Sequence, residues 1–141
     1  MPQLRSSCLI TNMQYEMIIM RRKLITVQKD NKLNDVFAVD NPGAGGANHK
    51  YKVVTFIGET EDCLCDIEFQ HGPRRDANSV YGVLDTDLLE IVRDRLAAFQ
   101  KGDFACQENA LALQHIEEAL LWMNLRVANR AERGVLGTNN K

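Results

Sequence analysis

From Glu108 to Arg133 the chain runs without a proline or a glycine. Alanine, leucine and glutamate, all good helix formers, supply most of that run. So long a stretch with no breaker predicts one continuous helix, and the rest of the fold must be arranged around it. Leu113, Ile116, Leu120, Met123 and Val127 recur at spacings of three and four, which predicts one buried helical face. Arg126, Arg130 and Arg133 fall at i, i+4 and i+7 and form a separate basic stripe on the last turns. Gly134 stands where a C′ glycine ends a helix. Cationic side chains suit the negative end of a helix dipole, so the stripe reads either as capping or as a place for an anion.

Upstream, a second helix is expected from Asp85 or Thr86, either of which can cap it, to about Gln100. Its apolar side carries Leu88, Leu89, Val92, Leu96 and Phe99. Lys101-Gly102 closes it, and the link to the long helix is short, so the two helices are expected to pack as an antiparallel hairpin. The segment before residue 85 has strand character. Residues 14–28 hold Ile18, Ile19, Leu24, Ile25 and Val27 around Arg21-Arg22-Lys23 and predict one bent strand or two short ones. Asp30-Asn31 makes a turn before a short strand at Val36–Val39. Tyr51–Ile57 and Cys63–Gln70 read as strands, and Val80–Leu84 as a short strand or an approach to the helix.

Between two of these strands lies Asn41–Asn48, a glycine-rich loop. Phosphate cradles use such glycines, but a P-loop ends in Gly-Lys-Ser/Thr and opens a helix. Here His49-Lys50 leads into a strand, so a hairpin connection is the better reading.

With 141 residues the chain is long enough for a domain with a core. A formal net charge of −2 argues against polymeric nucleic acid, which needs a broad basic footprint, but leaves room for a small anion in one local pocket. No apolar run is long enough to span a bilayer, and residues 1–20 lack the pattern of a signal peptide. Those residues read as a leader outside the packed domain. Cys8, Cys63, Cys65 and Cys106 show no zinc-type pairing, and Cys63 and Cys65, on the same face of a strand, are expected to be reduced core thiols of a cytosolic protein. His115 and Glu118, at i, i+3, lack a third metal ligand at helical spacing. Cys106, near a helix N-terminus, has no companion that would make it a nucleophile. No catalytic set, metal site or cofactor motif emerges.

Binding chemistry does. Phe99 ends one helix and can stack on a base, or simply pack in the core. Asn109 opens the next and offers both donor and acceptor groups. Arg126 and Arg130 suit bidentate phosphate contacts, and Arg74 and Arg75 add charge from a loop.

These residues sit in a familiar frame. Phe104–Leu113, His115–Leu120 and Arg133-Gly134-Val135-Leu136-Gly137-Thr138 closely resemble the Thoeris anti-defence protein 1 family of phages. The likeness extends upstream through Val36–Asp40, Pro42–Ala47, Phe69–Arg74 and Leu88–Arg95, and so covers roughly residues 22–141. That family shares a helical-hairpin domain with the anti-CBASS protein 2 family. The resemblance implies a non-enzymatic sponge. It would bind cyclic ADP-ribose isomers, glycocyclic ADP-ribose among them, and withhold them from the Thoeris defence in the host cytoplasm. It gives Phe99 the adenine stack and Asn109 a polar contact, with Arg126, Arg130 and Arg74 on the phosphates and riboses. It further implies a homo-oligomer, dimer or hexamer (a trimer of dimers). A second site, for CBASS cyclic trinucleotides, would draw on Arg133, Gly137 and Thr138. The family more often has an acidic residue where this chain has Leu136. An enzyme that degrades the signal, or a phage structural or adaptor protein, are the alternatives.

The expected architecture is therefore α+β. After a leader at 1–20 comes a single signal-binding domain, with a small, mostly antiparallel sheet at 21–84, a helical hairpin at 85–134 and a tail at 135–141. Two copies are expected to share each pocket. Asn109 and Arg126 lie seventeen positions apart on the long helix, about 25 Å along its axis and roughly 100° around it.

Overall fold

The computed structural model describes residues 21–141. The leader at 1–20, Cys8 and the Ile18-Ile19 part of the first predicted strand lie outside the described residues. Four strands, β1 (Arg22–Lys23), β2 (Asn34–Ala38), β3 (Lys50–Ile57) and β4 (Thr60–Glu68), precede two helices, α1 (Asp85–Gln100) and α2 (Gln107–Glu132). The fold is α+β. Internal contacts divide the chain into two compact units, which part between Glu68 and Phe69.

The first unit is an antiparallel meander in the order β1-β2-β3-β4. Gly58, with φ +65°, takes the left-handed first position of the two-residue β3–β4 loop, which a side-chain-bearing residue adopts at a cost. Among its described residues Phe37, Ala38 and Val54 are the buried ones. The first strand departs from expectation. Its paired residues are the basic ones, while Ile25 and Val27 are almost wholly exposed. Charge explains the choice: Arg21 lies 4.1 Å from the Phe37 ring centroid and grips Glu61 with two hydrogen bonds of 2.7 and 2.8 Å, and Lys23 bonds Asp35 at 2.7 Å. The interaction with Glu61 raises the Arg21 pKa, and Arg21 in turn holds the Glu61 carboxyl below its usual range.

The glycine-rich loop joins β2 to β3, as a hairpin connection should. Asp40 fastens its mouth: one carboxylate oxygen accepts the His49 N–H at 2.9 Å, the other the Asn48 side-chain amide at 3.1 Å. Desolvation pushes the Asp40 pKa up, but the hydrogen bonds from His49, Asn48 and Lys50 together outweigh it and leave the carboxyl below its ordinary value.

Cys63 and Cys65 are free and exposed, so they are not the core thiols expected. The ladder slips there: Val53 faces Cys65 and Val54 faces Cys63, so Leu64 is an extra residue in a bulge that upsets the simple alternation. Partial desolvation and the Asp66 carboxylate push the Cys63 thiol pKa up, which lowers its reactivity. Cys106 is also exposed, and its sulfur accepts the Asn109 N–H at the start of α2.

The second unit opens with a loop. Val80 and Val83 form single bridges to His71 and Phe69, so 80–84 is neither a full strand nor part of α1. The N-cap of α1 is Leu84, not Asp85 or Thr86. Asp87 does the capping from inside the helix, its carboxylate accepting the Leu84 N–H at 2.8 Å. α1 and α2 pack on each other. Gln100 locks their turn, bonding the Cys106 carbonyl and N–H at 3.1 Å each, and Arg93 reaches Glu117 at 3.9 Å further along. Contacts that open outward from the turn in this way are those of an antiparallel hairpin. Leu120 is the buried residue of its seam, with Leu113, Ile116 and Met123 half-buried around it and Val127 more exposed. Gly134, at φ +68°, ends α2 as its position predicted.

Candidate functional site

The hairpin turn gathers one group of predicted residues. Phe99 leaves the last turn of α1 half-buried, its ring edge-on to Phe104 with centroids 6.0 Å apart. The Arg95 guanidinium lies 5.4 Å from the same ring centroid. Asn109, in the first turn of α2, donates its side-chain amide to the Phe104 carbonyl at 3.4 Å. Phe99 and Asn109 thus flank a single residue, Phe104, which is itself 75% exposed. Two aromatic rings, a guanidinium and an amide at one turn can receive a flat, hydrogen-bonding ring.

A second group lies at the far end of α2. Arg126, Arg130 and Arg133 line an open cleft of about 480 Å³ with Trp122, Leu125, Asn129 and Lys141. The volume is in the range of small-ligand pockets. Trp122, Arg126, Asn129 and Arg133 step by four, three and four residues, so they fall on one stripe of the helix. Arg130, one turn on from Arg126 on the same basic stripe, is engaged: it donates to the backbone carbonyls of Val135, Thr138 and Asn140 at 2.8 to 3.0 Å. The tail is folded against the helix end by these bonds, and the Thr138 hydroxyl donates to the Val135 carbonyl at 2.7 Å. Gly137, at φ +77°, makes the bend between them. The capping reading therefore fits Arg130, and also Arg133, whose Nε donates to the Asn129 carbonyl at 3.3 Å, while Arg126, Arg130, Arg133 and Lys141 together line the cleft. Such a set can hold an anion.

Comparison with known proteins points to one family. Residues 61–128 match the family described as Acb2/Tad1, hairpin domain. The chain is also 42% identical over 99 residues to Thoeris anti-defense 1 of Bacillus phage SBSphiJ7, a match covering 70% of this chain and 66% of that protein. Through that hairpin the chain resembles the Acb2/Tad1 family. It spans just under two thirds of the length of its phage relative.

The Acb2/Tad1 hairpin match runs from β4 through α1 and stops near the end of α2, so it includes Phe99, Asn109 and Arg126. Arg130, Arg133, Gly137 and Thr138 lie beyond it. On one copy of this hairpin the predicted pocket is split. α2 is continuous from Gln107 to Glu132, so Asn109 and Arg126 are held about 25 Å apart. Arg74 belongs to neither group by its contacts. It bonds Gln70 at 3.2 Å and the Gly82 carbonyl at 3.2 Å, and lies 5.2 Å from the Tyr81 ring centroid, bracing its own loop. His115 and Glu118 are exposed neighbours 3.8 Å apart, and no group of three metal-ligating side chains exists among the described residues.

Reading the sequence overlooked Trp122 and Lys141. The signal for Trp122 was available: it precedes Arg126 by one helical turn, on the side of α2 away from the Leu113–Leu120 seam. Lys141 reaches the cleft because the tail folds back, which no periodicity announces.

Proposed function

We propose that this chain is a non-enzymatic sponge for a nucleotide immune signal. It binds cyclic ADP-ribose isomers in the infected host's cytoplasm and withholds them from the Thoeris defence. The observation that carries this reading is the clustering of Arg126, Arg133 and Lys141 around one cleft on a family hairpin whose 42% identical relative is named Thoeris anti-defense 1. Three cations around an open cleft suit a pyrophosphate, whose two charges each take guanidinium hydrogen bonds. Phe99 and Asn109 supply the complementary half, a stacking face and an amide for the adenine. Homo-oligomerisation is part of the proposal, because a compact ligand cannot touch both halves on one copy. Arg74 serves this function by bracing its loop, and Arg130 by holding the tail at the cleft's edge.

The experiment is direct. The protein is incubated with glycocyclic ADP-ribose, freed of unbound ligand and heat-denatured, and the released molecule is identified by chromatography and mass. Unmodified signal in stoichiometric amount is expected. Recovery of linear ADP-ribose or AMP would make the chain an enzyme instead. A second site for CBASS cyclic trinucleotides, using Arg133, Gly137 and Thr138 at a junction between copies, is the finer part of the proposal. Thr138→Ala, which leaves Lys141 in the cleft, should weaken trinucleotide binding and spare cyclic ADP-ribose binding. Equal loss of both from a folded protein would assign the tail to one shared site.

A further inference from the structure

We infer that Trp122 is a nucleobase-stacking platform, so that the arginine cleft of α2 reads the base as well as the phosphate of its ligand. This rests on the nucleotide-binding reading above and adds to it a residue that reading does not use. Trp122 lines the cleft and is 65% exposed, which is unusual for the largest apolar side chain. It is one helical turn, about 6 Å of axial rise, before Arg126, and shares the stripe that continues to Asn129 and Arg133. An aromatic face one turn from a guanidinium places a base and its 5′-phosphate on adjacent partners of the same helix. Stacking needs only the π-face of a base, so the platform accepts any base and favours the larger purine surface. The indole contributes a flat face with little rotamer freedom to lose. Glu118, one turn before Trp122, marks the end of the cationic stretch, so the phosphate is directed toward Arg126 and Arg133 rather than the other way.

Trp122 is the chain's one tryptophan, so its fluorescence reports on this cleft alone. The full-length protein is titrated with ADP and with inorganic pyrophosphate, and binding is followed in parallel by calorimetry. ADP should quench the indole emission with a saturation curve that matches the calorimetric one, and should bind at least tenfold more tightly than pyrophosphate. Trp122→Leu should lower ADP affinity at least tenfold and leave pyrophosphate affinity within twofold, whereas Trp122→Phe should retain most of the ADP affinity. Arg126→Ala should weaken both ligands. The inference is overturned if ADP and pyrophosphate bind alike to the parent and to Trp122→Leu, or if ADP binds without altering emission. It is equally overturned if neither probe binds, or if Trp122→Leu dissociates the oligomer, which would make the indole an interface residue covered by a second copy. The sponge reading fails separately: base stacking here with no retention of glycocyclic ADP-ribose would leave a nucleotide cleft that is not a signal trap.

Discussion

At the scale of single residues, two side chains have sharply different expected roles. Phe99 is half-buried against Phe104 but is not sealed in a core. Phe99→Ala should therefore weaken binding of glycocyclic ADP-ribose by about 1–3 kcal/mol, the worth of a base–aromatic stack, while the protein stays folded. Calorimetry beside a thermal melt checks it, and a variant that no longer folds would return Phe99 to core packing. Asp40 has a structural part. Its carboxylate is held below its ordinary pKa by the His49, Asn48 and Lys50 donors, after these overcome desolvation. A depressed folded-state pKa stabilises the fold fully above the unfolded-state value, and the contribution is lost as pH falls through the folded-state value. Denaturant midpoints measured from pH 7 down through the carboxylate range should therefore fall on acidification. Asp40→Asn should start lower at pH 7 and decline less steeply. Asp35 and Glu61, also depressed, keep some slope in the variant.

At the scale of elements, α2 was legible from its sequence because nothing interrupts it and its apolar spacing is regular; its glycine stop was equally plain. The β3–β4 hairpin followed from alternation and a Gly turn. The first strand was misplaced because hydrophobicity pointed to Ile25 and Val27, whereas pairing was decided by Arg21 and Lys23 finding Phe37, Glu61 and Asp35. Those partners are distant in sequence, so no local window contains the reason. The exposure of Cys63 and Cys65 was hidden because alternation expects one face of β4 to be buried, whereas the strand is exposed along nearly its whole length, Leu64 included. Of the candidate site, the arginine stripe was visible in its spacing, but the division of labour within it was not. Arg130 differs from Arg126 and Arg133 only because the tail returns to meet it. This suggests a test on the element itself. Arg130→Ala should release residues 135–141, raising hydrogen exchange at Val135 and Thr138 by about fivefold, roughly 1 kcal/mol for an exposed charge-assisted set. Exchange that stays at the parent rate would show that the local turn bonds hold the tail alone.

At the scale of the whole molecule, the question is whether one chain is a complete binder. Among the described residues only Phe37, Ala38, Val54 and Leu120 are buried hydrophobics, while Ile91, Leu111, Leu121 and Leu125 on the helices stay largely exposed. A chain this long ordinarily encloses more apolar surface than that, which favours association with further copies. The helix geometry makes the same point by a separate route. A break between Asn109 and Arg126 could have folded the two onto one ligand, but α2 runs unbroken from Gln107 to Glu132. In the proposed dimer, two antiparallel copies of α2 would bring Asn109 of one near Arg126 of the other, and a two-fold axis would do so twice, giving two equivalent pockets. Each such pocket would join one copy's turn, with Phe99 and Asn109, to the other's cleft. Complementation tests it. Asn109→Ala and Arg126→Ala proteins, each expected to bind at least tenfold more weakly alone, are mixed under conditions that exchange chains. A mixed dimer carries one pocket with both defects and one with neither, so calorimetry should recover tight binding at one site per dimer. Verified exchange without recovered binding would mean that each pocket belongs to a single chain, and that either Asn109 or Arg126 lies outside it.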